Sequence, residues 1–328
     1  MKKYIVILIA AFVVIGGTVA YFKMQKTSTN KITVGVHSWP GGGMVYIGDK
    51  MGFFKEEGVE IDIKKIENFD TKRASLISGQ IDVDVASTLD QLLIYNETGF
   101  PAQVIGITDE SDGGDGLVSS DSITDLQQLK GKTIAYAEAS PSDFFLRYIL
   151  KANNIDLKSV HFKPVADPQI AGNAIIARQV DAAVTYEPWL SQAGKEKGLH
   201  VLIDTKKYPT LIPGLLIINR DKVMGVNKEH YEKFLRAWFK SADYYYSHKE
   251  ESQKIISEGM GMKIQDVRDI LSVVDIQTKD LNKKLIDKTT PNNLFDLLSN
   301  INVFWKENGF INKDLNTESM VNTSLIQK

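Results

Sequence analysis

Gln80-Ile81-Asp82-Val83-Asp84-Val85-Ala86-Ser87-Thr88 returns about one hundred residues later as Gln179-Val180-Asp181-Ala182-Ala183-Val184-Thr185-Tyr186-Glu187. The flanks repeat as well. Lys31-Ile32-Thr33-Val34-Gly35-Val36 is echoed by Lys132-Thr133-Ile134-Ala135-Tyr136-Ala137, and Gly99 to Ile107 by Gly198 to Ile203. Each copy reads strand, loop, helix, strand, loop, helix, strand. One architecture used twice predicts two similar α/β lobes with a cleft between them. In open α/β sheets the loops after the carboxyl ends of strands line ligand sites. The echo therefore points to a two-lobed binder.

The chain has 328 residues, enough for about two domains. Hydrophobic residues make up 43% and charged residues 24%, the balance of a globular protein. With a net charge of −2 and no sizeable basic cluster, nothing favours nucleic acid as a partner. There is no cysteine, which excludes disulfides, a cysteine nucleophile, cysteine-ligated zinc and iron–sulfur clusters. Residues 1–30 read as a unit of their own. Lys2 and Lys3 precede a charge-free run from Tyr4 to Phe22, followed by Lys23, Lys26 and a polar linker, Thr27 to Asn30. This is either a secretory signal peptide or a membrane anchor. Both place the rest of the chain outside the cytoplasm, in the periplasm or at the cell surface. Thr18-Val19-Ala20 offers small residues for cleavage; left uncleaved, residues 4–22 would hold the protein to the membrane. Removing residues 1–31 takes away five lysines and no acid, so the remainder carries −7.

The pattern after residue 31 predicts strands near 32–36, 59–63, 81–85, 102–108, 133–137, 180–185, 200–203 and 214–219, with helices between them. Ser111-Asp112-Gly113-Gly114-Asp115-Gly116 reads as one crossover and Tyr208 to Gly214 as the other. Glycines 113, 114, 116 and 214 are placed to act as hinges. The expected lobes are 31–115 with 215–328, and 116–214. The last third is helical: Tyr231, Phe234, Leu235, Trp238 and Phe239 fall at helical spacing, and a second helix is expected from Thr290-Pro291 onward.

Several loop residues have chemistry suited to a ligand. Gly42 and Gly43, before a helix, present backbone N–H groups at a positive helix end. Ser140, Ser142 and Asp143 occupy the matching loop of the second copy. Ser87-Thr88 and Tyr186-Glu187 follow equivalent strands. Trp39 and Trp189 lie outside any apolar stripe and could wall a small molecule. Carboxylates at Asp115, Asp143 and Glu187 would suit an amine or a ring N–H and disfavour a bare anion. Catalytic and metal signals are poor: the five histidines show no ligand spacing and no Gly-x-Ser-x-Gly elbow is present. No cofactor and no enzymatic activity are expected.

Five segments together resemble a known family. They are Met51-Gly52-Phe53-Phe54-Lys55-Glu56-Glu57-Gly58-Val59-Glu60-Ile61, Gly79-Gln80-Ile81-Asp82-Val83, Gly113-Gly114-Asp115-Gly116-Leu117-Val118, the stretch around Lys130-Gly131-Lys132, and Asp181 to Trp189. Phe234-Leu235-Arg236-Ala237-Trp238-Phe239 adds a late helix. In this order they resemble the substrate-binding proteins of ABC importers for nitrate, aliphatic sulfonates and taurine, whose relatives also bind thiamine-precursor pyrimidines. The resemblance implies an α/β, two-lobed periplasmic-binding-protein-like fold (type II) with two crossovers. It also implies an ABC permease and its ATPase subunit as partners, and a small polar organic ligand such as a taurine-like sulfonate. An amine-bearing or pyrimidine ligand is the alternative, and behind it an enzyme acting on a small nitrogenous substrate with an acidic residue such as Glu187 as base. The chain lacks the lipid-bearing cysteine of many such proteins and the cysteine-rich signature of the eukaryotic pyrimidine-synthesising relatives. By family position, Trp39 to Gly43, Ser87, Thr88, Ser140 to Asp143, Tyr186 and Glu187 would contact the ligand, with Asp115 beside the crossover.

Overall fold

A computed structural model describes residues 30–223 and 226–327. The signal or anchor expected over residues 1–30 lies outside the described residues, except for Asn30. Among the described residues no helix is long and apolar enough to cross a membrane.

Two sheets carry the fold. Strands β1 (Lys31–Val36), β2 (Glu60–Lys65), β3 (Val83–Ser87), β4 (Ala102–Ser111), β10 (Pro213–Asn219) and β11 (Val274–Ile276) form the first, in the order β11-β4-β10-β3-β1-β2. Strands β5 (Asp115–Ser120), β6 (Thr133–Ala137), β7 (His161–Val165), β8 (Ala182–Tyr186) and β9 (Leu199–Asp204) form the second, in the order β7-β6-β8-β5-β9. Leaving out the edge strand β11, the two orders correspond strand for strand. In each, a parallel trio is followed by one antiparallel strand that arrives from the other lobe: β10 pairs with β3 and β4, and β5 pairs with β8 and β9. This exchange is the two-crossover topology expected of a type II binding protein.

The repeated sequence motif has a repeated physical task. The Asp82 carboxylate accepts from the Thr33 N–H at 3.0 Å, and the Asp181 carboxylate accepts from the Thr133 N–H at 2.8 Å. Their own N–H groups donate back to the carbonyls of Thr33 and Thr133. Each aspartate thus satisfies the start of the first strand of its copy, which would otherwise leave a donor without a partner. The helix before each motif is capped in the same way. Asn68 accepts from Thr71 N–H ahead of the helix Phe69–Ile77, and Asp167 accepts from Ile170 N–H ahead of Pro168–Ile176. The turn that follows needs a left-handed residue. Gly79 supplies it in the first copy; Arg178 adopts it in the second at φ 58°.

The core fills both faces of the first sheet. On one side the long helix Val226–Ser247 buries Phe234 and Trp238 against Ile47 and Phe54; on the other, the helix Leu294–Glu307 buries Leu298 and Trp305. Four elements differ from expectation, the first being β7, an edge strand outside the predicted set. Asp115 to Ser120 is a strand and not only a crossover, because Asp115 already pairs with Tyr186. Val274–Ile276 adds an edge strand inside the helical third. The last long helix begins after Asn293, whose side chain caps it, leaving Thr290-Pro291 in the turn before.

Removing one of the repeated carboxylates tests the clamp. Asp181→Ala is expected to cost about 2 kcal/mol, the scale of a hydrogen bond to a charged group. Asp181→Asn, which still offers an oxygen, should lose less than half of that. Chemical denaturation of both variants checks it.

Candidate ligand cleft

The loops at the carboxyl ends of the strands converge between the sheets. A small inner chamber of about 30 Å³ is walled by His37, Trp39, Phe69, Ala86, Thr88, Asp109, Asp115, Pro141, Tyr186, Ile212 and Gly214. A wider outer space of about 360 Å³ is bounded by residues that include Ser38, Glu67, Phe69, Glu138, Ser140, Asp167, Tyr186 and Trp189. Phe69 and Tyr186 belong to both. Contributions come from the loops of both sheets.

Aromatic rings form the walls. Trp39, after β1, meets Tyr186, after β8, edge-on at 5.7 Å between centroids, and Tyr186 meets Trp189 at 5.2 Å. Trp39 is oriented by its indole N–H, which donates to the Asp109 carboxylate at 2.7 Å. Thr108 donates to the same carboxylate through its hydroxyl. A Cβ added at Gly41 or at Gly214 would collide with the Asp109 carboxyl group. Both positions must therefore be glycine for the acid to fit, a need of close approach and not of dihedral freedom.

The floor is acidic and dry. Burial raises the Asp109 carboxyl to about 6, held back by the hydrogen bonds from Thr108 and Trp39. Burial raises Asp115 to about 7; a hydrogen bond from Ser111 opposes the rise, and the charges of Asp109, Glu187 and Asp90 add to it. No lysine or arginine is among the residues lining the two spaces. The nearest buried ammonium, Lys72, is already bound to Asp84 at 2.8 Å. Among the described residues no group of three or more histidines or acids could hold a metal.

The expected site residues divide evenly. Trp39, Thr88, Asp115, Ser140, Tyr186 and Trp189 line the cleft. Gly42 and Gly43 do not: the N–H of Gly42 donates to the carbonyl of Trp39, and Gly43 packs on Ile256. Asp143 is bound to Arg147 and to the N–H of Ala139. Glu187 turns back to receive both the N–H and the hydroxyl of Ser191, capping the helix Trp189–Gly194. Ser87 and Ser142 line neither space, although their buried hydroxyls have no partner. His37, Phe69, Asp109, Glu67 and Ile212 are cleft residues that the sequence reading missed. For Asp109 the one available signal was glycine at 41 and 214, and nothing in the sequence ties those two positions to residue 109.

This two-sheet fold with an interlobe cleft is that of the periplasmic binding proteins, the class that includes the solute-binding components of ABC importers. The chain superimposes on the periplasmic aliphatic sulphonate binding protein SsuA of Escherichia coli with a TM-score of 0.75 at 15% identity, covering 91% of this chain and 99% of that one. It belongs to the NMT1/THI5-like family, whose pattern matches residues 39–252. Relatives differ in role. A 4-amino-5-hydroxymethyl-2-methylpyrimidine phosphate synthase of Candida albicans is 26% identical over 69% of this chain and 70% of its own length. A putative aliphatic sulfonates-binding protein of Bacillus subtilis is 21% identical over 88% and 86%.

Two substitutions test the electrostatics. Folding raises Asp115 from about 3.9 to about 7, so the folded state holds the proton more tightly. That favours folding at low pH, and the contribution is lost as pH rises toward about 7. Asp115→Asn should therefore raise the melting temperature of the ligand-free protein more at about pH 8 than at about pH 4. An equal change at both would show that Asp115 is not desolvated. Lys72→Met leaves the Asp84 carboxylate buried and unpaired, at an expected cost of about 3–5 kcal/mol, read by urea unfolding.

Proposed function

We propose that this chain is the extracytoplasmic solute-binding component of an ABC importer, and that its ligand is a small, planar, amine-bearing nitrogenous solute of the aminopyrimidine kind. One observation carries the choice of ligand. The cleft pairs aromatic walls with two buried carboxylates and has no cationic side chain in its lining. Such a site accepts N–H hydrogen bonds and stacks a flat ring. It repels a bare anion, because like charges in a desolvated cleft cost far more than in water. The pyrimidine named for the Candida albicans relative has the matching chemistry, an amino group on a flat ring.

A second reading is a taurine-like aliphatic sulfonate. The unpartnered hydroxyls of Ser87 and Ser142, beside the starts of the helices Leu89–Glu97 and Pro141–Ala152, favour it. Glu187, the expected partner for an ammonium, is occupied by Ser191, which removes half of that recognition scheme.

Residues 31–115 with 215–328 form one lobe in this reading and 116–214 the other, with hinges at the two crossovers. Trp39, Thr88, Asp115, Ser140, Tyr186 and Trp189, joined by Asp109 and Phe69, contact the solute. The protein is not an enzyme: it delivers intact solute to a membrane permease driven by a separate ATPase subunit. If residues 4–22 remain uncleaved, it does so from the membrane surface.

The experiment is a thermal-shift and calorimetry panel of 4-amino-5-hydroxymethyl-2-methylpyrimidine, taurine and nitrate. The pyrimidine is expected to stabilise the chain; a ligand at 100 times its dissociation constant adds about 2.7 kcal/mol. Taurine and nitrate should give no shift. Stabilisation by taurine and not by the pyrimidine defeats the choice of ligand. Conversion of bound pyrimidine, seen by mass spectrometry, defeats the non-enzymatic role.

A further inference from the structure

A buried chain of polar groups reaches the cleft from behind and sets the state of one wall residue. Lys72, on the helix Phe69–Ile77, is almost fully buried. Its ammonium lies 2.8 Å from Asp84, 3.1 Å from the Nδ1 of His37 and 3.2 Å from the carbonyl of Val85. The second oxygen of Asp84 accepts from the Tyr95 hydroxyl at 2.8 Å. An ammonium has three donors and no acceptor, so it can only donate at each of these contacts. Nδ1 of His37 must then be the acceptor, and the ring proton resides on Nε2. A second ring proton would face the ammonium directly. Burial and the Lys72 charge accordingly lower the His37 pKa well below its ordinary value. The ring packs against Phe69 at 5.2 Å and walls the inner chamber beside Asp109 and Asp115. Nδ1 is taken by Lys72, which leaves Nε2–H as the ring's donor for that chamber.

We propose that His37, locked by Lys72 as the neutral Nε2–H tautomer, is a specificity-determining residue that donates to an acceptor atom of the solute. The proposal rests on the ligand class given above and deepens it. The carboxylates accept from the solute's amino group; His37 donates to the ring nitrogen beside it. A cleft with both groups selects a ring whose amino group neighbours an acceptor nitrogen. It discriminates against an aromatic amine that has no such nitrogen, because a buried donor would be left unpaired. The inner chamber is sized for that polar edge, with the body of the ring in the outer space.

Two measurements test this. Nitrogen NMR of histidine-labelled native protein reads the tautomer directly, with the His37 signal assigned by its loss in His37→Phe. The expected result is the Nε2–H form throughout about pH 5 to 8. An Nδ1–H form, or titration to the imidazolium in that range, overturns the lock whatever the ligand is. Calorimetry then compares 4-amino-5-hydroxymethyl-2-methylpyrimidine with its analogue in which both ring nitrogens are replaced by C–H. His37→Phe should weaken the pyrimidine by about tenfold or more and leave the analogue within about threefold. His37→Gln, whose amide can accept from Lys72 and donate forward, should recover part of the loss. Equal weakening of both compounds would mean a merely structural role for His37 and overturns the proposal. No binding of the pyrimidine by the native chain defeats the ligand reading and this role with it, even if the tautomer is as expected.

Discussion

The cleft depends on one buried carboxylate. Asp109 stands at the end of β4 where the chain is about to leave the first sheet, and it is wedged against two glycines from distant parts of the sequence, Gly41 and Gly214. Gly41 belongs to the loop after the first strand, and Gly214 to the strand that returns from the second lobe. Asp109 also holds the Trp39 indole at 2.7 Å. A single acid therefore fixes the position of the aromatic wall beside one crossover and tolerates only glycine beside the other. Desolvation raises its pKa, and the hydrogen bonds from Trp39 and Thr108 reduce that cost.

The two sheets reach the cleft by the same means. In each copy an aspartate after the Gln-x-Asp turn ties the first strand's start, and an Asn or Asp caps the preceding helix. The aspartates Asp82 and Asp181 line neither space and hold the frame, whereas the caps Asn68 and Asp167 stand on the wall of the outer space. Ser87 ends β3 and Thr88 follows it, whereas Tyr186 ends β8 and Glu187 follows it. The same motifs therefore supply both frame residues, Asp82 and Asp181, and cleft-lining residues, Thr88 and Tyr186.

Charge placement is the second constraint. The inner chamber has carboxylates on its floor, and a neutral imidazole held in one tautomer by a buried ammonium. The ammonium is paired with Asp84, and Lys72 is not among the residues lining the chamber. The lining thus combines carboxylate acceptors with an imidazole and has no lysine or arginine side chain.

The sequence by itself indicated the repeat, the two crossovers and most of the strands and helices, since these follow from local patterning and turn chemistry. It did not show β5, β7 or β11, nor that Asn68 and Asp167 cap their helices while Ser140 makes no side-chain cap. It also indicated six of the residues that line the cleft, Trp39, Thr88, Asp115, Ser140, Tyr186 and Trp189, because position near a strand end is a local property. Tertiary structure decided the rest. Gly42, Gly43, Ser142, Asp143 and Glu187 look like ligand residues in the chain. Gly42, Asp143 and Glu187 are occupied by nearby partners, and Gly43 packs on Ile256 from a distant helix. Asp109 and His37 look unremarkable in the chain and become cleft residues through contacts with positions 41, 214 and 72. Whether a carboxylate faces a ligand or caps a helix depends on which partner lies within about 3 Å, and sequence order does not carry that distance.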